Sequence, residues 1–187
     1  MVRFKDKGNK KQERINKKGT GNMNIFYLSE YADEAAEMHC DKHASKMVLE
    51  TVQMMSAAHR YLDGDEYADR VGLYSMGKGH MNHPSTKWVR ASEQHYYWTL
   101  ELLWYLSAEK LLRFGTPHKS ASLIDALAVP PENIEDNGFV PPPQCMPDKY
   151  KCDDTVQAYR NYYHGEKPFA VWKYTQQPTW WKGYGYA

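Results

Sequence analysis

Cysteine is scarce in this sequence: Cys40, Cys145 and Cys152 form an odd set with no CxxC spacing. That argues against a disulfide framework and a cysteine-built zinc site, and it favours a reducing, cytoplasmic setting. No apolar run approaches the ~18 residues that a membrane span requires. The first residues also lack the apolar stretch of a secretory leader. Strand signals are sparse, and no segment repeats. The HExxH pattern is absent. His39 and His43 have the i,i+4 spacing of helical metal ligands, but Asp41 lies between them and no third ligand is defined, so neither a metal nor a cofactor is expected. What remains is a chain of 187 residues, 42% hydrophobic and 14% aromatic. That is enough for one domain with a substantial core.

The formal net charge of +1 conceals an asymmetry. Residues 1–22 carry eight Lys or Arg against two acids, whereas residues 23–187 carry 16 basic groups against 21 acidic ones. The first segment has too little apolar surface to offset the ordering of its backbone, so it reads as a disordered basic arm. Such an arm suits non-specific phosphate contact. Alternatively, translation starts at Met23 and the arm is an upstream extension. The mildly acidic body implies that any DNA contact is made through a local patch.

Along the chain most segments read as helix. Residues 24–28 are a short apolar stretch, extended or strand-like. Ser29 or Asp33 caps a helix over about 31–39, and Asp41 caps one over about 42–62. In the second, Met47, Val48, Val52, Met55 and Ala58 recur at helical spacing, widened by Leu49 and Met54. Residues 64–83 hold Gly64, Gly72, Gly77 and Gly79 and read as a long loop. The longest helix is predicted from Pro84 or Ser85 to Phe114, stopped by Gly115 and Pro117 and rich in Trp and Tyr. A shorter helix covers about 119–128. The proline-rich residues 129–150 then wrap the domain, and Asp153 or Asp154 caps a last helix ending near Tyr163, closed by Gly165. The predicted architecture is all-α: a single compact domain over 23–187 built on one long, aromatic-rich central helix.

Chemistry concentrates in a few places. On a helix His43, Lys46, Glu50 and Gln53 share one face, which offers acid/base groups, a cation and an amide. Lys42 or Lys46 is suited to phosphate, or to imine formation if its surroundings depress its pKa. The ordinary alternative is a solvated face with a Lys46–Glu50 ion pair. Next, His80, Asn82, His83 and Ser85 lead from the glycine-rich loop into a helix start near Arg90, a setting for an anion, with Asn82 or Ser85 as cap. Finally, aromatic and basic residues interleave from Tyr159 to Lys182, including Lys167 and Trp180. That composition suits stacking on unpaired or flipped nucleotides, although most of these rings are expected in the core and Lys182 is the better ligand contact.

Read from Met23, the pattern MNIFYL, then CDKH..KM.LE..QM, then NHPS..W and AYRNYY.GEK, resembles a group of small bacteriophage proteins from Met23 to about Trp172. More distantly the layout is similar to the phage pyrimidine-dimer DNA glycosylases of the endonuclease V family, above all in the ending Pro178-Thr179-Trp180-Trp181-Lys182-Gly183-Tyr184-Gly185. The resemblance implies an all-α enzyme that flips a base and acts through glycosylase and abasic-lyase steps. In that family the nucleophile is the α-amine of an N-terminal threonine, and no threonine follows Met1 or Met23 here. Its catalytic glutamate corresponds to the neighbourhood of Lys42 and His43, with Asp41 and Glu50 the nearest acids.

The expected function is therefore a phage-encoded DNA N-glycosylase, with or without lyase activity, working on damaged or modified pyrimidines in the cytoplasm of the infected host. Its partner would be duplex DNA with a flipped base, and no membrane is involved. Asp41, Lys42, His43 and Glu50 are the expected catalytic residues. Lys46, Gln53, His80, Asn82, His83, Ser85, Arg90 and Lys182 are the expected DNA contacts. Two alternatives are a non-catalytic protein binding DNA or a host protein, and an enzyme acting on free nucleotides.

Overall fold

The computed structural model describes residues 23–186, and the basic arm expected over 1–22 lies outside them. Among the described residues the fold is all-α, with eight α-helices and no strand. They are α1 (Ala32–Met38), α2 (Asp41–Leu62), α3 (Asp65–Arg70), α4 (Lys78–Met81), α5 (Pro84–Val89), α6 (Glu93–Phe114), α7 (Ile124–Leu127) and α8 (Thr155–Glu166). Two 3₁₀ turns, Lys119–Leu123 and Asp148–Tyr150, complete the set.

Helices α2 and α6, each of 22 residues, pack on one another and form the frame, with α1 against α6 and α5 against α2. On α2 Met47, Val48, Val52, Met54, Met55 and Ala58 are buried, the apolar face that the sequence predicted, except that Leu49, expected to widen it, is exposed. On α6 the core positions are Tyr96, Trp98, Leu102, Leu103 and Leu106. Trp104, at 60% exposure, and Tyr97, at 45%, lie outside it. Helical periodicity decides this: the stripe of leucines fixes the inner face, and the aromatics out of phase with it point to solvent. Each fully buried Leu or Met contributes ~1.5–3 kcal/mol, so this stripe outweighs any surface pair.

Between these helices runs residues 23–28, an extended segment with Ile25, Phe26, Tyr27 and Leu28 all buried. It has no strand partner, so side chains satisfy its polar groups. Asn24 N–H donates to Glu50 (3.3 Å), Ile25 N–H to the Asn24 side chain (2.9 Å), and Arg160 donates to the Leu28 carbonyl (2.8 Å). Buried backbone groups need such partners in full.

Three local expectations change. The helix predicted from Pro84 to Phe114 is two helices, broken at Arg90–Ser92, where Glu93 N–H is taken by the Glu135 carbonyl (2.9 Å) of the proline-rich strap. The loop predicted over 64–83 contains α3 and α4. Helix α8 does not close at Gly165 but runs through it to Glu166. Gly165 is there for packing, since a β-carbon at that position would overlap the ring of Tyr150. Gly115, by contrast, ends α6 as predicted, in the left-handed conformation (φ 70°) with its N–H on the Leu111 carbonyl. Asp154 caps α8 through Gln157 N–H (3.1 Å). Asp41 caps nothing: Cys40 holds the cap position, and Asp41 is the first residue of α2.

The strap is fastened along its length. Asp63 accepts from the N–H groups of Glu132 (2.8 Å) and Asn133 (3.0 Å), His95 accepts from Val140 N–H (3.0 Å), and Trp88 donates to the Val140 carbonyl (2.9 Å). The C-terminal residues then cross the start of α2, where Asp41 N–H donates to the Val171 carbonyl (2.9 Å).

Candidate functional site

The first turns of α2, the buried segment 24–28 and the end of α8 converge on one place. His43 lies there with 3% exposure, stacked on Phe26 (4.4 Å between centroids) and edge-on to Phe169. Its Nδ1 meets the Tyr163 hydroxyl at 2.5 Å. Burial, reinforced by the charges of Lys167, Lys46 and Lys42, depresses its pKa to about 2. The ring is therefore neutral at physiological pH and walled in. The solvated helix face read from sequence is in fact covered.

One turn further on, Glu50 is 8% exposed. One carboxylate oxygen accepts from Lys46 Nζ (2.8 Å) and the other from Asn24 N–H (3.3 Å). Burial raises its pKa, and those two donors pull it part of the way back. The Lys46–Glu50 pair is thus present but asymmetric, with the Lys46 side chain 48% exposed and the Glu50 side chain 10%. A buried carboxyl whose pKa is raised in this way is suited to exchanging a proton with a reacting group.

Lys167, immediately after α8, was seen in the sequence only as part of the aromatic and basic run. The residue is 8% exposed, and its Nζ lies over the face of Tyr162 (4.0 Å) and near that of Phe26 (5.4 Å). It forms no salt bridge among the described residues. Desolvation, offset by Glu166 and reinforced by Lys46, lowers its pKa to about 8. Nearby Lys42 is exposed and covers the ring of Phe169 at 4.2 Å. Lys42, Lys46 and Lys167 all act on His43, so three cations and one carboxyl surround a wall of aromatic rings. The signal for Lys167 was its position directly after a helix carrying Tyr159, Tyr162 and Tyr163, and nothing local in the sequence marked it as desolvated.

The other expected residues divide. Asp41 is held by Arg113 (3.3 Å) and by Lys173 N–H (2.8 Å), so both its oxygens serve the fold. Gln53 and His80 line an open cleft of about 440 Å³ with Leu49, Tyr74, Ser75, Met76 and Gly77, and the charge of His80 reaches Glu50. His83 is the cap of α5: its Nδ1 accepts from Ser85 N–H (3.2 Å), which occupies the donor expected to meet an anion. Asn82 donates to the Lys78 carbonyl (3.0 Å), and Ser85 is buried with its hydroxyl 3.5 Å from the Cys145 sulfur. Arg90 donates to the Met81 carbonyl (2.6 Å) and stacks on Tyr61 (3.9 Å). Ser85 and Arg90 thus tie α5 to the strap and to α2, while Asn82 and His83 serve the local ends of α4 and α5. Lys182 joins the C-terminal residues to α8 through its N–H on His164 (3.1 Å), while its Nζ turns back on the Thr179 carbonyl (2.8 Å).

His39 is fully buried, with Nδ1 on the Ala35 carbonyl and a pKa depressed by burial to about 4. Among the described residues no three His, Cys, Asp or Glu side chains are grouped to hold a metal ion. Burial pushes the Cys40 thiol up, so it is a core residue and not an activated nucleophile. No helix of the described residues is long and apolar enough to cross a membrane. Comparison with protein-family models, curated proteins and solved structures finds no match.

Proposed function

We propose that the chain is a DNA-base-processing enzyme, an N-glycosylase with abasic-lyase capacity acting on damaged or modified pyrimidines. The observation that carries this reading is Glu50, a buried carboxyl with a raised pKa set among Lys42, Lys46 and Lys167. Removing a base needs a proton donor and acceptor close to the sugar, and a buried carboxyl with a raised pKa is suited to that exchange. Lys42 and Lys46 bind the phosphates on either side of the flipped nucleotide. The rings of Phe169 and Tyr162, already carrying lysine ammonium groups, offer the faces on which an extruded base stacks. The resemblance to phage pyrimidine-dimer glycosylases supports the same reading, under which the partner is DNA and the setting an infected bacterial cell.

Base release from duplexes carrying a panel of damaged or modified pyrimidines tests it. The wild-type protein is expected to release a base, and Glu50→Gln, which keeps the shape of the side chain, to release it ~10²–10⁴-fold more slowly while still binding DNA. Tight, salt-sensitive duplex binding with no base released from any substrate would replace the enzyme with a binding protein.

A further inference from the structure

The lysines around His43 are not equivalent. Lys46 is paired with Glu50 at 2.8 Å, and Lys42 is exposed on the ring of Phe169. Lys167 alone of the three is buried, and it stands on aromatic faces without a carboxylate partner among the described residues. It is not sealed either. The residue keeps 8% of its surface exposed. An amine held this way, desolvated yet reachable and with a carboxyl nearby, is arranged as a nucleophile and not as a phosphate anchor.

We propose that Lys167 Nζ is the amine that forms an imine with a sugar aldehyde, which under the DNA reading is the ring-opened deoxyribose of an abasic site, with Glu50 carrying the proton. The lone pair of the neutral amine attacks C1′ and an N–C1′ bond forms. The carbonyl electron pair moves to oxygen, which takes the proton of the Glu50 carboxyl. The nitrogen then gives a proton back to Glu50, which passes it to the hydroxyl, so that the C1′–O bond breaks with water as the leaving group. The protonated imine that results returns its remaining proton to Glu50. The sum is amine plus aldehyde giving imine plus water, with Glu50 restored to its protonated state. The assignment rests on the DNA reading for its substrate, and on the environment of Lys167 for its amine. That environment comprises Glu166 and Tyr162 of α8, Cys40 at the head of α2, and Lys42, His43, Lys46 and Glu50 on α2. Their balance leaves the amine with a pKa of about 8, so a useful neutral fraction exists near pH 7.5.

The test is borohydride trapping of the full-length protein on a duplex with a preformed abasic site, made by excising uracil, followed by peptide mass mapping. The adduct is expected on Lys167, and Lys167→Met is expected to lose trapping at least ~100-fold, in line with removal of a covalent catalyst. Because that variant also changes a buried position, the wild-type protein provides a second measurement. Its trapping rate is expected to rise with pH and level off near pH 8, where an exposed lysine would still be gaining reactivity toward pH 10. Lys167→Cys alkylated with bromoethylamine restores an amine of similar reach and is expected to recover trapping. An adduct on Lys42, Lys46 or a terminal amine would overturn the assignment, as would no adduct on this substrate. Base release on the pyrimidine panel is measured separately, so a glycosylase with its nucleophile elsewhere is distinguished from a protein that is no glycosylase at all.

Discussion

Two buried charge clusters sit at the same end of α2, and they are built in opposite ways. Around Arg113 every donor is used. Its Nε and one Nη bond Glu109 (2.7 and 2.6 Å), and the remaining N–H groups reach the carbonyls of His39 (2.7 Å) and Glu37 (2.8 Å) and the carboxylate of Asp41 (3.3 Å). Asp41 in turn spends its other oxygen on the backbone of Lys173. Around Lys167 almost nothing is used. Its ammonium rests on two rings, and the nearest buried carboxyl, Glu50, is committed to Lys46 and Asn24. A saturated cluster has no valence left for a ligand and holds α1, α2, α6 and the C-terminal residues together. An under-partnered one costs stability and retains its bonding capacity for a substrate.

The comparison breaks most visibly at Arg113. Arg113→Met leaves Asp41 buried without its partner and strands two carbonyls, so unfolding free energy measured by urea denaturation at pH 7 is expected to fall by ~3–5 kcal/mol. A loss below ~1 kcal/mol would mean that the cluster is dispensable.

Lys167→Met should move stability the other way. The folded pKa, about 8, lies below the ordinary value of 10.5, so the unfolded chain binds more protons between the two. Stability therefore rises as pH increases from 8 to 10.5, and below 8 the buried ammonium is a net cost. At pH 7 the variant is expected to gain ~1–3 kcal/mol, a gain that shrinks as the pH rises from 8 to 10.5. A destabilised Lys167→Met at pH 7 would show that the lysine is a structural pair like Arg113.

His43 sharpens the contrast through acid. Its folded pKa of about 2 lies under the ordinary 6.5, so its contribution is complete above pH 6.5 and is lost as the pH falls below it. Between pH 7 and pH 5 that amounts to ~2 kcal/mol. The loss should be smaller by that amount in His43→Gln, in which the buried His39 still contributes its own, when the two proteins are compared by denaturation at both pH values. The smallest effect belongs to Lys42, exposed on Phe169. Lys42→Ala is expected to cost at most ~1 kcal/mol of stability, and to reduce the salt dependence of duplex binding by one phosphate, a change of ~0.9 in the slope of log K against log salt.

Much of this was legible in the sequence. The α2 face bearing His43, Lys46, Glu50 and Gln53 follows from helical spacing, as do the Gly115 stop and the Asp154 cap. Spacing gives the angle of a side chain around its own helix, but it does not give what covers that helix. Hence His43 and Glu50 read as solvated, although residues 24–28 and α8 bury them from distant parts of the chain. The break at Arg90–Ser92 has no glycine or proline to announce it, because its cause is the Glu135 carbonyl more than forty residues away. Arg113 escaped notice for the same reason: in sequence it is an ordinary last-turn arginine, and all its significance lies in α1 and α2.

The extended segment beneath the site bears on how the chain is made. Asn24 accepts from the Tyr159 hydroxyl across a sequence separation of 135 residues, and its side-chain amide donates to the Cys145 carbonyl across 121. During synthesis at about 5–20 residues per second, the apolar run from Ile25 to Leu28 emerges roughly 7–27 s before the helix that closes over it. The nascent protein therefore spends most of its translation with its buried N-terminal segment unpartnered, and the cluster around His43, Glu50 and Lys167 comes into being only with the last helix. A ribosome stalled before α8 would carry a chain with α2 complete and no working site.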